Sequence, residues 1–574
     1  MSDADARESS HVHWLLLGSL SAQPSGRRFI LDAESFAATF KDAAVTAKVD
    51  VGPALGAGGA HSLELRFDQL KQYSMKHVLA SVPLLGDLRK LAEELGGPSS
   101  RRPADDAVVA RVVELVGDGP LAAELRKLFS ADDAVADAAE PAEQAPAPAP
   151  ASGEPSLVDE LLASHDSKRA HSKHAVDSFI QAIRGKSGTS SEASKATPPN
   201  RRARELIETA VFGAVGAVLS DPAVTGPEAL WRGLQLVVKN APKKSAMLVE
   251  VVDVAPSGIE AALQDCLDDE PMNRPDAFFC FDQSEEIANP ERMQALASVA
   301  EDLHAPIVFG IGPGFFGVDD PEDLVQALRD AKPDASGAFP EGWAELRADE
   351  VSRWLAVTTN DVVVATEGAG TARRIVLGSS VFALAAMLAA SFHHTGGFAR
   401  VLGKDGALKA PGLREISKGR EAGAAIPTAA FLPIRAQSDL AEQGVIGLGS
   451  GRNTDMIALS MVPTVRGSKD SVPLSAQILT GRLVRFGRWV CDQIPAGSTK
   501  DEVVKLFQDA ATVFLFPGLS SGAELHAGVV DEGEGPAIRL VASVSPRLAG
   551  IPFEVGFDLP IAVALASSPA ASPD

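Results

Sequence analysis

Met247-Leu248-Val249-Glu250-Val251-Val252-Asp253-Val254 is a mostly apolar run of strand length, and Ala277-Phe278-Phe279-Cys280-Phe281 is a second. A helical pattern over 291–303 follows, and then a third run, Pro306-Ile307-Val308-Phe309-Gly310-Ile311. Apolar strands alternating with helices build a sheet covered by helices, so the large C-terminal part of the chain reads as α/β. The pattern changes from Ala523. Residues 526–530, 537–544 and 553–557 read as strands separated by turns, which predicts a mixed or antiparallel sheet whose edges could take strands from other chains.

Working back toward the N-terminus, residues 131–155 contain little except Ala, Pro, Asp, Glu and Gln and cannot bury a core. They read as a Pro/Ala-rich linker. A second polar stretch at 185–200 closes off a segment beginning at Ser156, in which Leu157, Leu161 and Leu162 share one face of an amphipathic helix. Before the linker, residues 1–130 read as a small α/β domain. His13, Trp14, Leu15, Leu16 and Leu17 form a buried strand, Ser62 to Phe67 alternates with period two, and 33–44, 75–95 and 105–130 look helical. The fold class is thus α/β, mixed α+β overall, divided as 1–130, 131–155, 156–200 and 201–574, with a C-terminal domain at about 426–566.

A formal net charge of −23 opposes phosphate neutralisation and argues against nucleic acid as a partner. The three cysteines, Cys266, Cys280 and Cys491, have no metal-ligand spacing around them. They favour a reducing compartment and no structural zinc. The opening MSDADARESS is acidic where an export signal needs positive charge, and the longest apolar stretch, 381–390, is too short to span a bilayer. A cytoplasmic protein without direct membrane insertion is expected.

The best enzyme signal is Gly312-Pro313-Gly314-Phe315-Phe316-Gly317, a GxGxxG pattern between a predicted strand and a predicted helix near Pro321. The alternative it offers is a Rossmann-like nucleotide-binding enzyme. Against that, Asp319, Asp320 and Glu322 stand where a pyrophosphate would lie, and Pro313 removes a backbone donor. Gly518-Leu519-Ser520-Ser521-Gly522 matches a nucleophile elbow, but the only later histidine, His526, is too close in sequence to complete a triad. The pairs His11/His13 and His393/His394 lack carboxylate or thiol ligands at metal spacing, and Gly447 to Gly451 lacks the Lys-Ser/Thr of a P-loop. No catalytic residue, cofactor or metal is expected.

The order of segments along the whole chain resembles the two sheath proteins of bacterial type VI secretion systems. His13-Trp14-Leu15-Leu16-Leu17-Gly18, Arg27-Arg28-Phe29-Ile30, Leu63 to Leu70 and Val78 to Leu85 look like the small subunit, the TssB/VipA family. Leu219-Ser220-Asp221-Pro222, Glu228 to Leu234, His304-Ala305-Pro306-Ile307, Pro313 to Gly317, Gly378 to Ala386 and Gly481 to Phe486 look like the large subunit, the TssC/VipB family. The stretch between Trp354 and Ile375 departs from that family, and the fusion of two subunits is unusual for it.

What the resemblance implies is a phage-tail-sheath-like, non-enzymatic protomer that polymerises helically with itself around an Hcp-like inner tube, meets baseplate proteins, and contracts. It also implies site residues. His13, Trp14, Leu15, Leu16 and Leu17 would be an inter-protomer strand, so that removing residues 1–20 should leave soluble protein unable to polymerise. Leu157, Val158, Leu161 and Leu162 would be the handle for a ClpV-type AAA+ unfoldase. Asp501, Lys505, Gln508 and Asp509, on the polar face of a helix over 499–512, would touch the inner tube.

Overall fold

The computed structural model describes residues 12–20, 24–97, 103–136, 199–242, 246–330, 338–368, 373–515, 523–532 and 535–565. They fall into two compact units, one drawn from 1–39, 229–365 and 375–574, the other from 40–228 and 366–374.

The larger unit is built on seven strands, β1 (Val12–Gly18), β2 (Arg28–Ile30), β3 (Met247–Asp253), β4 (Ala277–Cys280), β5 (Ile307–Ile311), β6 (Leu355–Thr359) and β7 (Val445–Gly447). Their order across the sheet is β7-β6-β5-β4-β1-β3-β2. All neighbours run parallel except the edge strand β2, which is antiparallel to β3. Parallel strands are covered on both faces, which is why β1, β3, β4, β5 and β6 are buried at every residue and are largely apolar, with His13 and Glu250 among the buried exceptions. One face carries Leu15, Leu17, Phe278, Ile307 and Phe309, packed with Met293, Leu296 and Leu303 of helix α1 (Pro290–Leu303). Trp14 and Phe279 alternate to the other face, with ring centroids 4.8 Å apart, and Phe398 lies over Trp14 at 6.3 Å. Helix α2 (Ser380–Thr395), capped by Ser379, is buried along nearly its whole length. That accounts for its apolar sequence without a bilayer, and no single helix among the described residues is long and apolar enough to cross one.

Two expectations are corrected by β1. Residues 1–130 do not form a unit of their own, because residues up to Thr39 cluster with the larger unit. Nor is the strand His13, Trp14, Leu15, Leu16, Leu17 free to pair with another protomer. Trp14 stands opposite Val249 of β3 on one side and Ala277 of β4 on the other, so both edges of β1 are filled by its own chain. Periodicity identified the strand correctly and could not identify its neighbours, which lie more than 200 residues away.

The smaller unit has a hairpin, Val45–Asp50 with Ser62–Phe67, alternately buried and exposed along its first strand as a one-sided sheet requires. Phe67 stacks on Tyr73 at 4.0 Å. The predicted helix over 75–95 is two helices, Met75–Ser81 and Pro83–Gly96, because Pro83 cannot extend a helix but starts one well. Leu85, Leu88, Leu91 and Leu95, and then Val108, Val112 and Val116 of Asp105–Val116, form apolar stripes at helical spacing. Residues 131–136 of the expected linker 131–155 instead continue the helix Pro120–Ala136, while its remainder and the segment carrying Leu157, Val158, Leu161 and Leu162 lie outside the described residues.

The C-terminal part of the larger unit adds helix α3 (Ile434–Glu442), helix α4 (Leu474–Asp492), helix α5 (Lys500–Ala510) and a separate antiparallel sheet, β8 (Ala523–Glu532), β9 (Gly535–Val544) and β10 (Phe553–Pro560). Helix α4 is clamped closely. A Cβ on Gly481 would stand 2.1 Å from the His304 carbonyl oxygen, and one on Gly487 would stand 2.6 Å from Leu559 of β10.

Candidate functional site

Two surfaces of the C-terminal part suit contact with other chains. In the terminal sheet β9 lies in the middle, so β8 and β10 each have one edge without a strand among the described residues. Residues of β10 alternate between half-buried and exposed over most of its length. Such an edge offers a row of backbone donors and acceptors to an incoming strand. Arg539 and Asp558 pair across β9 and β10 at 2.6 Å, on an exposed face where an ion pair adds little to stability.

The second surface is α5. Thr499 caps it, its hydroxyl accepting from the Glu502 amide while Glu502 accepts from the Thr499 amide at 2.8 Å, a reciprocal box that fixes where the helix starts. Val503 and Phe507 are buried, with the Phe507 ring 6.4 Å from that of Phe486 in α4. Asp501, Lys505, Gln508 and Asp509 are all exposed. The structure therefore brings these four together on one solvent face of a helix anchored from behind.

Sequence reasoning missed the most concentrated electrostatics in the molecule. Asp276, just before β4, is fully buried and accepts from Arg482 Nη1 at 3.1 and 3.0 Å, from Arg485 Nη2, and from the His13 amide at 2.8 Å. Arg485, also buried, donates further to the carbonyls of Arg274, at 2.9 Å, and Pro275. Burial alone would raise the Asp276 carboxyl, but the two guanidiniums outweigh it and hold the group below the usual carboxylate range. Beside it, His13 Nε2 lies 2.7 Å from Glu250, and Glu250 accepts from Arg28 at 2.6 Å. The cluster ties the entry of β1 to β3, β4 and α4. Arg482 and Arg485 are three apart on one helix face among apolar neighbours. That intrusion of charge into an apolar stripe was the available signal.

A half-buried carboxyl sits beyond β6. Asp361 accepts from Gln283 Nε2 at 2.9 Å and from the Ser380 amide at 3.1 Å, and desolvation pushes it up to about 6. Its folded value thus exceeds its unfolded one of about 3.9, so the native state binds the extra proton and stability falls as pH rises from about 4 to 6. The cost at pH 7 is on the order of 2–3 kcal/mol. Asp361→Asn keeps an acceptor for both donors. We expect it to raise the unfolding midpoint at pH 7.5 and to flatten the dependence between pH 4.5 and 6.5, measured by thermal melts of both proteins.

The glycine motif is a bend rather than a phosphate cradle. After β5, Pro313–Phe316 makes a 3₁₀ turn closed by Gly317 at φ 70°, a left-handed position that favours glycine. The helix Leu324–Asp330 starts only after a further turn, Pro321–Asp323, that carries Glu322 and Asp323. Phe315 and Phe316 join Phe339 and Trp343 in an aromatic cluster, Phe315 to Trp343 being 5.3 Å. Glu322 accepts from the amides of Ser417 and Lys418 at 3.0 and 2.8 Å and pairs with Arg414. This geometry does not favour the Rossmann-like alternative. Gly518 to Gly522 and His11 lie outside the described residues. The His393 and His394 rings are 5.1 Å apart, and among the described residues no group of three or more His, Cys, Asp or Glu could hold a metal.

Residues 278–466 match the family model described as EvpB/VC_A0108, tail sheath N-terminal domain. The matched third of the chain runs from within β4 past β7 and resembles a sheath domain of the large-subunit, VipB type. Among solved structures, the chain is similar to the helical sheath of the anti-feeding prophage in its contracted state, at 14% identity, with 60% of this chain and 79% of that one covered and a TM-score of 0.30. The sheath complex of PVC, an extracellular contractile injection system, in its contracted state gives 11%, 60%, 79% and 0.31. The baseplate of the anti-feeding prophage gives 12%, 60%, 78% and 0.32. These fold scores are too low to transfer contacts. No curated protein matches the chain.

Proposed function

We propose that the chain is a complete protomer of a type VI secretion contractile sheath, with a small-subunit part and a large-subunit part in one polypeptide. The observation that carries this reading is the sheath-domain match over 278–466. The resemblance of residues 13–85 to the small subunit supports the fusion. Protomers stack in a helical homopolymer around an Hcp-like tube in the bacterial cytoplasm, begin on a baseplate, and contract to drive the tube outward. The open edges of β8 and β10 are where strands of neighbouring protomers add. Non-closing contacts between unlike surfaces generate such a filament. The segment with Leu157, Val158, Leu161 and Leu162 is the handle for a ClpV-type unfoldase.

The exposed face of α5 meets the tube. Its polar groups suit a contact that must form during assembly and release when the sheath expands, since each exposed ion pair is worth only about 0–1 kcal/mol and affinity comes from repetition. Reversing charge at Asp501, Lys505 and Asp509 together is expected to give empty sheaths or none from a folded protomer. Tube-filled sheaths of normal length would remove α5 from that interface. The reading as a whole is tested by high-speed pelleting and negative-stain microscopy of the purified chain. Hollow tubes are expected, and a chain that stays monomeric at every concentration contradicts it.

A further inference from the structure

Glu322, in the turn that follows the glycine motif, has a side chain only 4% exposed, and its carboxylate is surrounded by donors. Oε2 accepts from the Ser417 amide at 3.1 Å, the Ser417 hydroxyl at 2.8 Å and the Lys418 amide at 2.8 Å. Oε1 accepts from the Ser417 amide at 3.0 Å and from Arg414 Nη2. These donors all belong to one stretch, 414–418, which lies 92 to 96 residues further along the chain. Two consecutive amides aimed at one oxygen form a nest, a backbone shape that binds anions, and here a hydroxyl and a guanidinium complete it. The nest has supports other than Glu322. Arg414 Nη1 donates to the Ala429 carbonyl, and the strands Arg414–Glu415 and Ala425–Ile426 pair antiparallel, with the Ile416 amide donating to the Ala424 carbonyl at 3.0 Å.

We propose that 414–418 is a binding site for a carboxylate anion, which the chain fills with its own Glu322 and so latches the loop 417–423. Local charge selects a carboxylate over phosphate. Lys418 Nζ lies 2.6 Å from Asp320 and 2.9 Å from Asp323, so with Glu322 removed the charges of Arg414 and Lys418 are already matched by two carboxylates. The amides and the hydroxyl then hold a monoanion, whereas a dianion is repelled by Asp320 and Asp323. Other ties on the loop are weaker. Glu421 pairs with Arg452 at 2.8 Å on an exposed surface, where an ion pair adds little, and Gly419 and Gly423, at φ 76° and 86°, give the loop two left-handed pivots. An acidic side chain of a partner enters the nest only by displacing Glu322, which makes its binding and the release of the loop one event. The latch is independent of the sheath reading.

Glu322→Ala deletes the heavy atoms of one acetate ion, so acetate itself is the probe. The full chain, Glu322→Ala and Glu322→Gln are digested with trypsin, and the peptides ending at Lys418 and Arg420 are followed by mass spectrometry. Loss of the charge-assisted bonds is expected to speed these two cuts about 10-fold or more in both variants, with cuts elsewhere unchanged. Acetate is expected to slow them toward the wild-type rate in Glu322→Ala and not in Glu322→Gln, whose side chain still fills the nest. Chloride and inorganic phosphate at the same ionic strength are expected not to protect. Wild-type rates at Lys418 and Arg420 in both variants overturn the latch. Acetate that protects Glu322→Ala no better than chloride overturns the site, and so does a Glu322→Ala chain that acetate neither folds nor protects. Phosphate protecting as well as acetate overturns the choice of ligand.

Discussion

Deleting residues 12–20 is expected to prevent the larger unit from folding, not merely to block polymerisation. Trp14, Leu15, Leu16 and Leu17 are all at 0% exposure in a strand flanked on both sides. Each such side chain is worth about 2–5 kcal/mol when removed from a core, so together they approach or exceed the roughly 5–15 kcal/mol by which a domain is stable. The deletion also breaks the sheet between β3 and β4. Leu16→Asp alone, placing a charge among apolar residues with no partner, should cost more than about 4 kcal/mol. Solubility on expression, near-ultraviolet circular dichroism and cooperative urea unfolding check both. A soluble, cooperatively folding deletion variant would mean that β1 is dispensable and is free to serve another protomer after all.

Replacing Asp276 by Asn should cost about 3–5 kcal/mol, because it leaves the guanidiniums of Arg482 and Arg485 buried without a counter-charge. Arg485→Met should cost less. It leaves Asp276 with Arg482, at 3.0 Å, and with the His13 amide, which is a balanced pair. The order of the two effects matters more than their size. If burial alone governed the cluster, loss of the larger, fully buried Arg485 would be the worse change. Urea titrations of the two variants decide it, and an Arg485→Met protein less stable than Asp276→Asn would show that the carboxylate is not the hub.

Elements were legible where a local pattern determines them. The apolar runs at 13–17, 247–254, 277–281 and 306–311 are β1, β3, β4 and β5, and the helix over 291–303 is α1 almost to the residue. The helix over 499–512 is α5, ending at Ala510 before a wider turn at Ala511–Leu515. The terminal strands are present and antiparallel. Neighbours were not legible, since a strand buried on both faces has no alternation to reveal which residues flank it. Thus sequence pattern places neither β1 between β3 and β4 nor the bounds of the smaller unit, which excludes residues up to Thr39 and runs on through Glu228 with 366–374. The buried ionic cluster escaped for a related reason. Arg482 and Arg485 interrupt an apolar stripe and Glu250 an apolar run, but nothing local pairs them with Asp276 or His13, and only the fold brings them together. On α5 the polar face was legible because amphipathic spacing alone places Asp501, Lys505, Gln508 and Asp509 opposite Val503 and Phe507.

Whether one chain is one whole sheath protomer is decided by helical reconstruction of the assemblies formed by the purified protein. Hollow tubes are expected whose repeating unit contains a single 59.7 kDa chain, with β1 between β3 and β4 of that same chain and no separate small subunit. A repeating unit that needs a second, different polypeptide, or purified chains that form no tubes under any condition that preserves the fold, would contradict it.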